Sequence, residues 1–342
     1  MSTTPIFKIT DYIERDLQWE EEECQQIGIG FKSYQLRDAS ASEIIKHFKD
    51  ADILLTNMAD MNAEVLDGLE NVKVLLRHGI GYDNVDVEAA TRNGIIFANE
   101  ATASGEDVAE HAIMLIMETF RKRKLQDRLL QRWIDSREWN SEEIYPMHRM
   151  KGKTLGIVGC GNIGSLVLKK MSGFGMKILV SDPYLSEDRN KELGIEHVPF
   201  DDLLKESDII TIHVPVTKET RGMFHLDKFR LMKDSAVIIN TARGPVINTD
   251  DLITALQRGM IGGAGLDVFE TEPPSPDTEL TTMDNVILSP HIAWYSEEGG
   301  WDIRHMIMDD VNSFLAGKPP RFVVNPEVLD QPNCRFNKCF KL

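Results

Sequence analysis

Thr154-Leu-Gly-Ile-Val-Gly-Cys-Gly-Asn-Ile-Gly164 decides how this chain is read. Thr154 to Val158 is β-branched and apolar, as a buried strand requires, and from Ile163 onward apolar residues return at helical spacing at Leu166, Val167, Met171 and Phe174. Between these runs Gly159, Gly161 and Gly164 fit G-x-G-x-x-G. Gly159 permits a tight turn, Gly161 leaves room for backbone to approach a pyrophosphate, and Gly164 lets the helix close on the strand. The first N–H groups of that helix then face the anion. Glycine spacing alone is weak support. It is strengthened by a second strand-like run, Lys177 to Ser181, that ends in Asp182, where a carboxylate accepts hydrogen bonds from both hydroxyls of an adenosine ribose. A 2′-phosphate would be repelled there, so NAD is expected rather than NADP. The plainer reading of Asp182 is the start of an Asp-Pro turn.

A chain of 342 residues suits about two domains, each large enough for its own core. Apolar content of 42 % beside 27 % charged residues excludes global disorder, and no apolar run nears the roughly 18 residues of a membrane span. The polar Met1-Ser-Thr-Thr-Pro5 start carries no secretory signal pattern. With 38 basic against 55 acidic residues, the net charge of −17 opposes direct binding to nucleic acid or anionic membranes. Cys24, Cys160, Cys334 and Cys339 form no metal-ligand pattern, and no metal is expected. Free thiols in a reducing cytoplasm are the expectation, with a Cys334 to Cys339 bridge as the alternative.

Ahead of the glycine loop, Pro5 to Tyr12, Ala51 to Leu55, Val72 to Leu76 and Gly94 to Phe97 read as strands. Helical stretches at Asn62 to Leu69 and Val85 to Asn93 lie between them, which predicts a small parallel sheet covered by helices. The acidic run Glu20 to Glu23 reads as the solvated face of a helix. Arg77-His-Gly-Ile-Gly-Tyr-Asp-Asn84 follows a strand, in the crevice where open α/β sheets bind ligands. Arg77 and the N–H groups of Ile80 and Gly81 could there face a carboxylate; a plain two-glycine turn is the other reading. Ser104 begins a long amphipathic helix. From Gln126 to Arg149 the chain carries Trp133 and Trp139 and no glycine, the composition of an arm that packs on something, such as a second subunit.

Beyond the glycine loop six parallel strands are countable from Thr154, and the later ones end in distinctive clusters: His213-Val-Pro215, Asn240-Thr-Ala-Arg-Gly244, Asp267-Val-Phe-Glu-Thr-Glu-Pro273 and Ser289-Pro-His-Ile-Ala-Trp294. In a doubly wound sheet those ends share one crevice.

These clusters, in this order after the glycine loop, resemble the D-isomer-specific 2-hydroxyacid dehydrogenases over about residues 50 to 318. Asp182-Pro-Tyr-Leu-Ser186 and His291-Ile-Ala-Trp-Tyr-Ser-Glu297 are similar in particular to the C-terminal-binding-protein branch, which includes NAD-sensing corepressors. The resemblance implies two doubly wound α/β domains. The substrate domain is flavodoxin-like and discontinuous (residues 1–100 and 296–330), the NAD-binding domain is Rossmann-type (101–295), and residues 331–342 are left as a tail. It also implies a homodimer and a catalytic trio of Arg243, Glu272 and His291. On the cofactor, it implies Asn162 and Ile163 at the pyrophosphate with Gly159, Gly161 and Gly164, Asp182 at the ribose, Tyr184 near adenine, and Val214, Pro215 and Thr220 along the adenosine. Thr241, Ala242, Arg243, Asp267 and His291 fall on the nicotinamide side.

The chemistry suits these residue types. A 2-oxo acid needs carboxylate and carbonyl held together, which the planar fork of Arg243 offers. Hydride transfer leaves an alkoxide that a histidine can protonate, and a carboxylate orients and charges that histidine. Arg77, Ile80, Gly81, Arg243, His291 and Trp294 are the substrate candidates, with the Trp294 indole bordering the C2 substituent and favouring an apolar or thioether group. His78 and Glu100 stand where the family more often has small or apolar residues, which bears on substrate identity. A redox-sensing binding protein and an enzyme of formate or phosphite are the competing readings. The first lacks an interaction motif beyond residue 330, and the second has no use for Glu272 beside an anion loop.

Overall fold

The computed structural model describes residues 4–340; the first three residues, part of the polar N-terminal start, and the last two of the tail lie outside the described residues. The chain divides into two compact units, Met1–Ser104 with Ser296–Leu342, and Gly105–Tyr295.

The first unit is built on β1 (Ile6–Ile9), β2 (Gly30–Ser33), β3 (Ile53–Thr56), β4 (Val74–Arg77) and β5 (Ile96–Asn99). All neighbours pair in parallel, in the order β2-β1-β3-β4-β5. Strands β3 and β5 are buried along their whole length, as parallel strands covered on both faces must be, and this is why each reads as an apolar run with a single polar residue at its end. β2 was missed from the sequence because it is an edge strand, Gly-Phe-Lys-Ser, with exposed and half-exposed residues only.

One expectation for this unit is corrected. Glu20 is not on a solvated face: it is 4 % exposed, and its two oxygens take Arg304 Nε and Nη2 at 2.5 and 2.6 Å. A bidentate guanidinium lets a carboxylate be enclosed where a run of acids alone predicts exposure. Residues 331–340, expected only as a tail, are packed on this unit as well. Cys334 and Phe336 are each 1 % exposed, and the Arg335 guanidinium donates to the Val72 carbonyl at 3.0 Å, so the segment up to 340 is anchored to this unit. The helix Glu297–Leu315 is capped by the Ser296 hydroxyl and ends before Gly317, whose φ of 71° reverses the chain.

The second unit carries β6 (Thr154–Val158), β7 (Lys177–Ser181), β8 (Glu196–His197), β9 (Ile209–Ile212), β10 (Val237–Asn240), β11 (Gly263–Leu266) and β12 (Val286–Leu288). They form one parallel sheet in the order β12-β11-β10-β9-β6-β7-β8. Six strands were expected and seven are present; the extra one, β8, is two polar residues at the edge, too short to leave a pattern. Strand order reverses between β6 and β9, the place where such sheets bind ligands. Apolar side chains cover the sheet in two clusters, one around Phe224, Phe229 and Leu252, the other around Leu115, Val167 and Ile157. The helix Gly105–Phe120 packs into the second of these. The arm after it is largely the helix Arg123–Ser136, and its two indoles stack on each other with centroids 4.5 Å apart.

Candidate active site

At the end of β6 the three glycines do separate jobs. Gly159 has φ 86°, and a Cβ there would strike His213 and Val214 at the end of β9. A Cβ at Gly164 would collide with the Gly159 carbonyl, so the helix can sit this close to the strand only without one. A Cβ at Gly161 would meet nothing, which leaves open space at the N-terminus of the helix Asn162–Met171. Asp182 is held by two backbone donors, Cys160 N at 2.8 Å and Tyr184 N at 3.0 Å, one on each oxygen, and is not fully enclosed. An anion cradle followed by a fixed carboxylate fits a dinucleotide with a free 2′-hydroxyl. Ile163 lies in the first turn of the helix, half-buried. Tyr184 is 87 % exposed, and Thr220 uses its hydroxyl to close its own loop, donating to the Pro215 carbonyl at 2.6 Å. Val214 packs partly against the core and Pro215 is exposed. Burial and then the Asp182 charge push the Cys160 thiol up to about 11, so it stays an inert packing group.

The trio gathers over the far strands. Asn240 folds the loop after β10, accepting from Ala242 N at 3.0 Å and donating to the Arg243 carbonyl at 2.9 Å. Beside it Thr241 is buried, and its hydroxyl has no hydrogen-bond partner among the described residues. Glu272 accepts Phe269 N at 2.9 Å on one oxygen and meets His291 Nδ1 at 2.6 Å with the other. A carboxylate only accepts, so Nδ1 carries a hydrogen and Nε2 is left for substrate chemistry. Burial raises the Glu272 carboxyl, but the His291 bond, the Phe269 N–H and the charges of His291 and Arg243 outweigh it and hold it below the ordinary range. His291 sits in a left-handed turn with φ 53°, a conformation that costs a non-glycine residue about 1–2 kcal/mol. His213, which follows β9, is no rival acid, because burial drops it to about 3.

Asp267 is wholly buried, and its carboxylate is engaged inside the protein by Ser289 Oγ (2.6 Å), Ile292 N (3.0 Å) and Ala293 N (2.9 Å). The group expected beside the nicotinamide thus braces the turn that carries His291. Trp294 joins it, donating from Nε1 to the His291 carbonyl at 3.1 Å. Neither role is visible in spacing alone, since each depends on a turn whose shape the sequence does not announce.

In the first unit, the loop after β4 has Gly79 at φ 120°, with the Arg77 guanidinium lying across it. Among the described residues the N–H groups of Ile80 and Gly81 donate to no protein group, as an anion loop requires. His78 is buried against Glu14, Nε2 to Oε1 at 2.6 Å. Burial raises Glu14, but the His78 bond and charge prevail and bring it down to about 2. Sequence reasoning missed Glu14 and also Asp11, whose carboxylate takes the N–H groups of Asn57, Met58 and Ala59 in the loop after β3. An acid shortly after a strand end was the only signal either offered.

The NAD-binding domain of the D-isomer-specific 2-hydroxyacid dehydrogenases matches residues 113–293. The chain is similar to a glyoxylate reductase of Korarchaeum cryptofilum, 37 % identical over 325 residues that cover 95 % of this chain and 93 % of the relative. A D-3-phosphoglycerate dehydrogenase of Archaeoglobus fulgidus is 35 % identical over 87 % of this chain and 56 % of its own length. Among solved structures, D-lactate dehydrogenase from Aquifex aeolicus, complexed with NAD and lactic acid, superposes with a TM-score of 0.80 at 32 % identity, covering 91 % of this chain and 96 % of that one. With the glycine turn, the fixed Asp182 carboxylate and the Glu272–His291 pair already in place, these likenesses identify the chain as an NAD-dependent oxidoreductase that belongs to the D-isomer-specific 2-hydroxyacid dehydrogenase family.

Proposed function

We propose that the enzyme reduces small, unphosphorylated 2-oxo acids, with His291 as proton donor, Glu272 as the carboxylate that orients it, and Arg243 as the clamp on the substrate's carboxylate and carbonyl. The 2.6 Å bond between His291 Nδ1 and Glu272 carries this reading, because it commits one ring nitrogen and leaves Nε2 to deliver a proton. NADH, when bound, supplies the hydride to the carbonyl carbon. The C=O π pair moves to oxygen, and the His291 Nε2 proton goes to that oxygen, leaving a neutral imidazole. Gly159, Gly161, Asn162, Ile163 and Gly164 would hold the pyrophosphate and Asp182 the ribose. Tyr184, Val214, Pro215 and Thr220 would border the adenosine, and Thr241, Ala242 and Asp267 the nicotinamide side.

We assign the substrate carboxylate also to Arg77 with the N–H groups of Ile80 and Gly81. One guanidinium with Glu14 close to its loop suits a single carboxylate better than a phosphate of greater charge. Trp294 would wall the C2 substituent. The glyoxylate reductases among the relatives favour a substituent smaller than the apolar or thioether group expected from sequence. The finer likeness to the C-terminal-binding-protein branch stays a proposal carried by Asp182–Ser186 and His291–Glu297. Exposed Met114, Met117, Leu130, Ile134 and Trp139 on the second unit support a homodimer, to be read by light scattering. Four free cysteines accord with a reducing compartment such as the cytoplasm, and no helix among the described residues is long and apolar enough to cross a membrane.

The experiment is NADH oxidation over glyoxylate, pyruvate, 4-methyl-2-oxopentanoate and 3-phosphohydroxypyruvate, repeated with His291→Asn. The unphosphorylated acids should turn over, the smaller ones with the higher kcat/KM, and His291→Asn should lose about 10²–10⁴ in kcat while NADH affinity holds. Turnover confined to the phosphorylated acid, or a near wild-type kcat in His291→Asn, would refute the reading.

A further inference from the structure

We propose that His111 is a positioning residue for the reaction, acting through Ser289 and Asp267 on the turn that carries His291; the proposal rests on His291 being the proton donor. His291 stands in a left-handed conformation that a histidine adopts only when its surroundings impose it. The imposing group is Asp267. Its carbonyl takes His291 N at 2.8 Å, and its carboxylate takes the N–H groups of Ile292 and Ala293, so three successive backbone donors end on one buried residue.

What keeps that carboxylate in place can be read from hydrogen-bond direction. Ser289 has one hydroxyl hydrogen, and it is directed to Asp267 Oδ1 at 2.6 Å, because a carboxylate can only accept. Ser289 Oγ lies 2.8 Å from His111 Nε2, and with its own hydrogen committed it must accept there. His111 Nε2 therefore carries a proton, and the chain runs His111 to Ser289 to Asp267. The same nitrogen is 3.5 Å from Asp267 Oδ1, beyond ordinary hydrogen-bond length, so the link from His111 to the carboxylate runs through the Ser289 hydroxyl. His111 is a firm anchor: its side chain is 16 % exposed, and its helix buries Ala109, Ala112 and Leu115. Removing it leaves Ser289 without a donor and frees the carboxylate to shift. The turn then loosens, and with it the contact between His291 Nδ1 and Glu272. Proton delivery suffers because it tolerates little misplacement, whereas the glycine cradle and Asp182 belong to other strand ends and keep their geometry.

The test uses His111→Leu, His111→Gln, Ser289→Ala, the His111→Leu/Ser289→Ala double variant and His291→Asn, each read by NADH binding, kcat, KM and the pH–rate profile. His111→Leu should lower kcat about tenfold or more with NADH affinity within about twofold. Its reduction profile should fail at lower pH than wild type, because the Glu272 contact to His291 is weakened. His111→Gln should recover most of the activity, since its amide can donate to Ser289. The double variant should be no worse than Ser289→Ala alone if the link is a single chain. Wild-type kcat and pH profile in His111→Leu would overturn the proposal, as would additive losses in the double variant, or equal losses in the Leu and Gln variants. Should His111→Leu fail to fold, Ser289→Ala reads the same link. An active His291→Asn would sink the underlying assignment; an inactive one beside an unaffected His111→Leu would sink only this inference.

Discussion

Replacing Glu100 by glutamine should make the protein's stability less sensitive to alkali. Glu100 follows β5, with its N–H on the Gly79 carbonyl at 3.2 Å. It is 1 % exposed, and among the described residues neither carboxyl oxygen has a hydrogen-bond partner. Burial, and then the charge of Asp310, push its carboxyl up to about 8, against a weaker opposite pull from Arg321. In the unfolded chain it titrates near 4.5. Between those values the folded protein holds a proton that the unfolded chain has released. Its stabilisation is therefore complete below about 4.5 and is lost as pH climbs to about 8. Each pH unit in that window costs about 1.4 kcal/mol, so the interval from pH 5.5 to 8 costs about 3 kcal/mol. Glutamine keeps the shape and has no proton to lose. Urea unfolding at several pH values across this interval, followed by tryptophan fluorescence with Trp19 and Trp301 in the same unit, should show Glu100→Gln gaining on wild type by about that amount. Asp310, also raised by burial, keeps some slope in both proteins. Parallel curves for the two would refute the reasoning.

Wild type should turn over NADH far better than NADPH, and Asp182→Ala should narrow the gap by about tenfold or more, since it removes the charge facing a 2′-phosphate; comparable kcat/KM for both cofactors in wild type would contradict this. Glu272→Gln keeps a hydrogen bond but removes the charge that favours protonated His291, so reduction should fail at a lower pH than in wild type; a profile displaced upward would count against the assignment. Gly161→Ala should leave the thermal stability of the ligand-free protein unchanged and weaken NADH binding, because its Cβ enters open space, whereas Gly164→Ala should lower stability as well, because its Cβ strikes the Gly159 carbonyl. Equal melting temperatures for the two variants would show that the glycines are interchangeable.

The interior parallel strands and the strand-end clusters were legible because each leaves a local trace. Residues 53–55 and 237–239 are unbroken apolar runs, and Gly159, Gly161 and Gly164 are the residues whose missing Cβ the turn needs. Two of the four edges were not legible: β2 and β8 are short and offer almost no apolar run, whereas the edge strands β5 and β12 are apolar enough to leave a trace. Glu20 misled for a related reason, as its partner Arg304 is distant in sequence and only folding brings the guanidinium to it.

Sequence by itself determined that this chain makes two parallel-sheet units, that one of them carries a dinucleotide fingerprint ending in Asp182, and that Arg243, Glu272 and His291 stand after successive strands. These follow from periodicity and from short-range chemistry, which residue order carries directly. Only the tertiary structure decided that His291 is held in a left-handed turn, that Asp267 braces this turn while His111 stands behind it, and that Glu14 meets His78 whereas Glu100 is buried beside Asp310, which shifts their carboxyls in opposite directions. Those facts depend on which groups meet across long stretches of chain and on how much water reaches them, and neither burial nor a distant partner is written in local sequence.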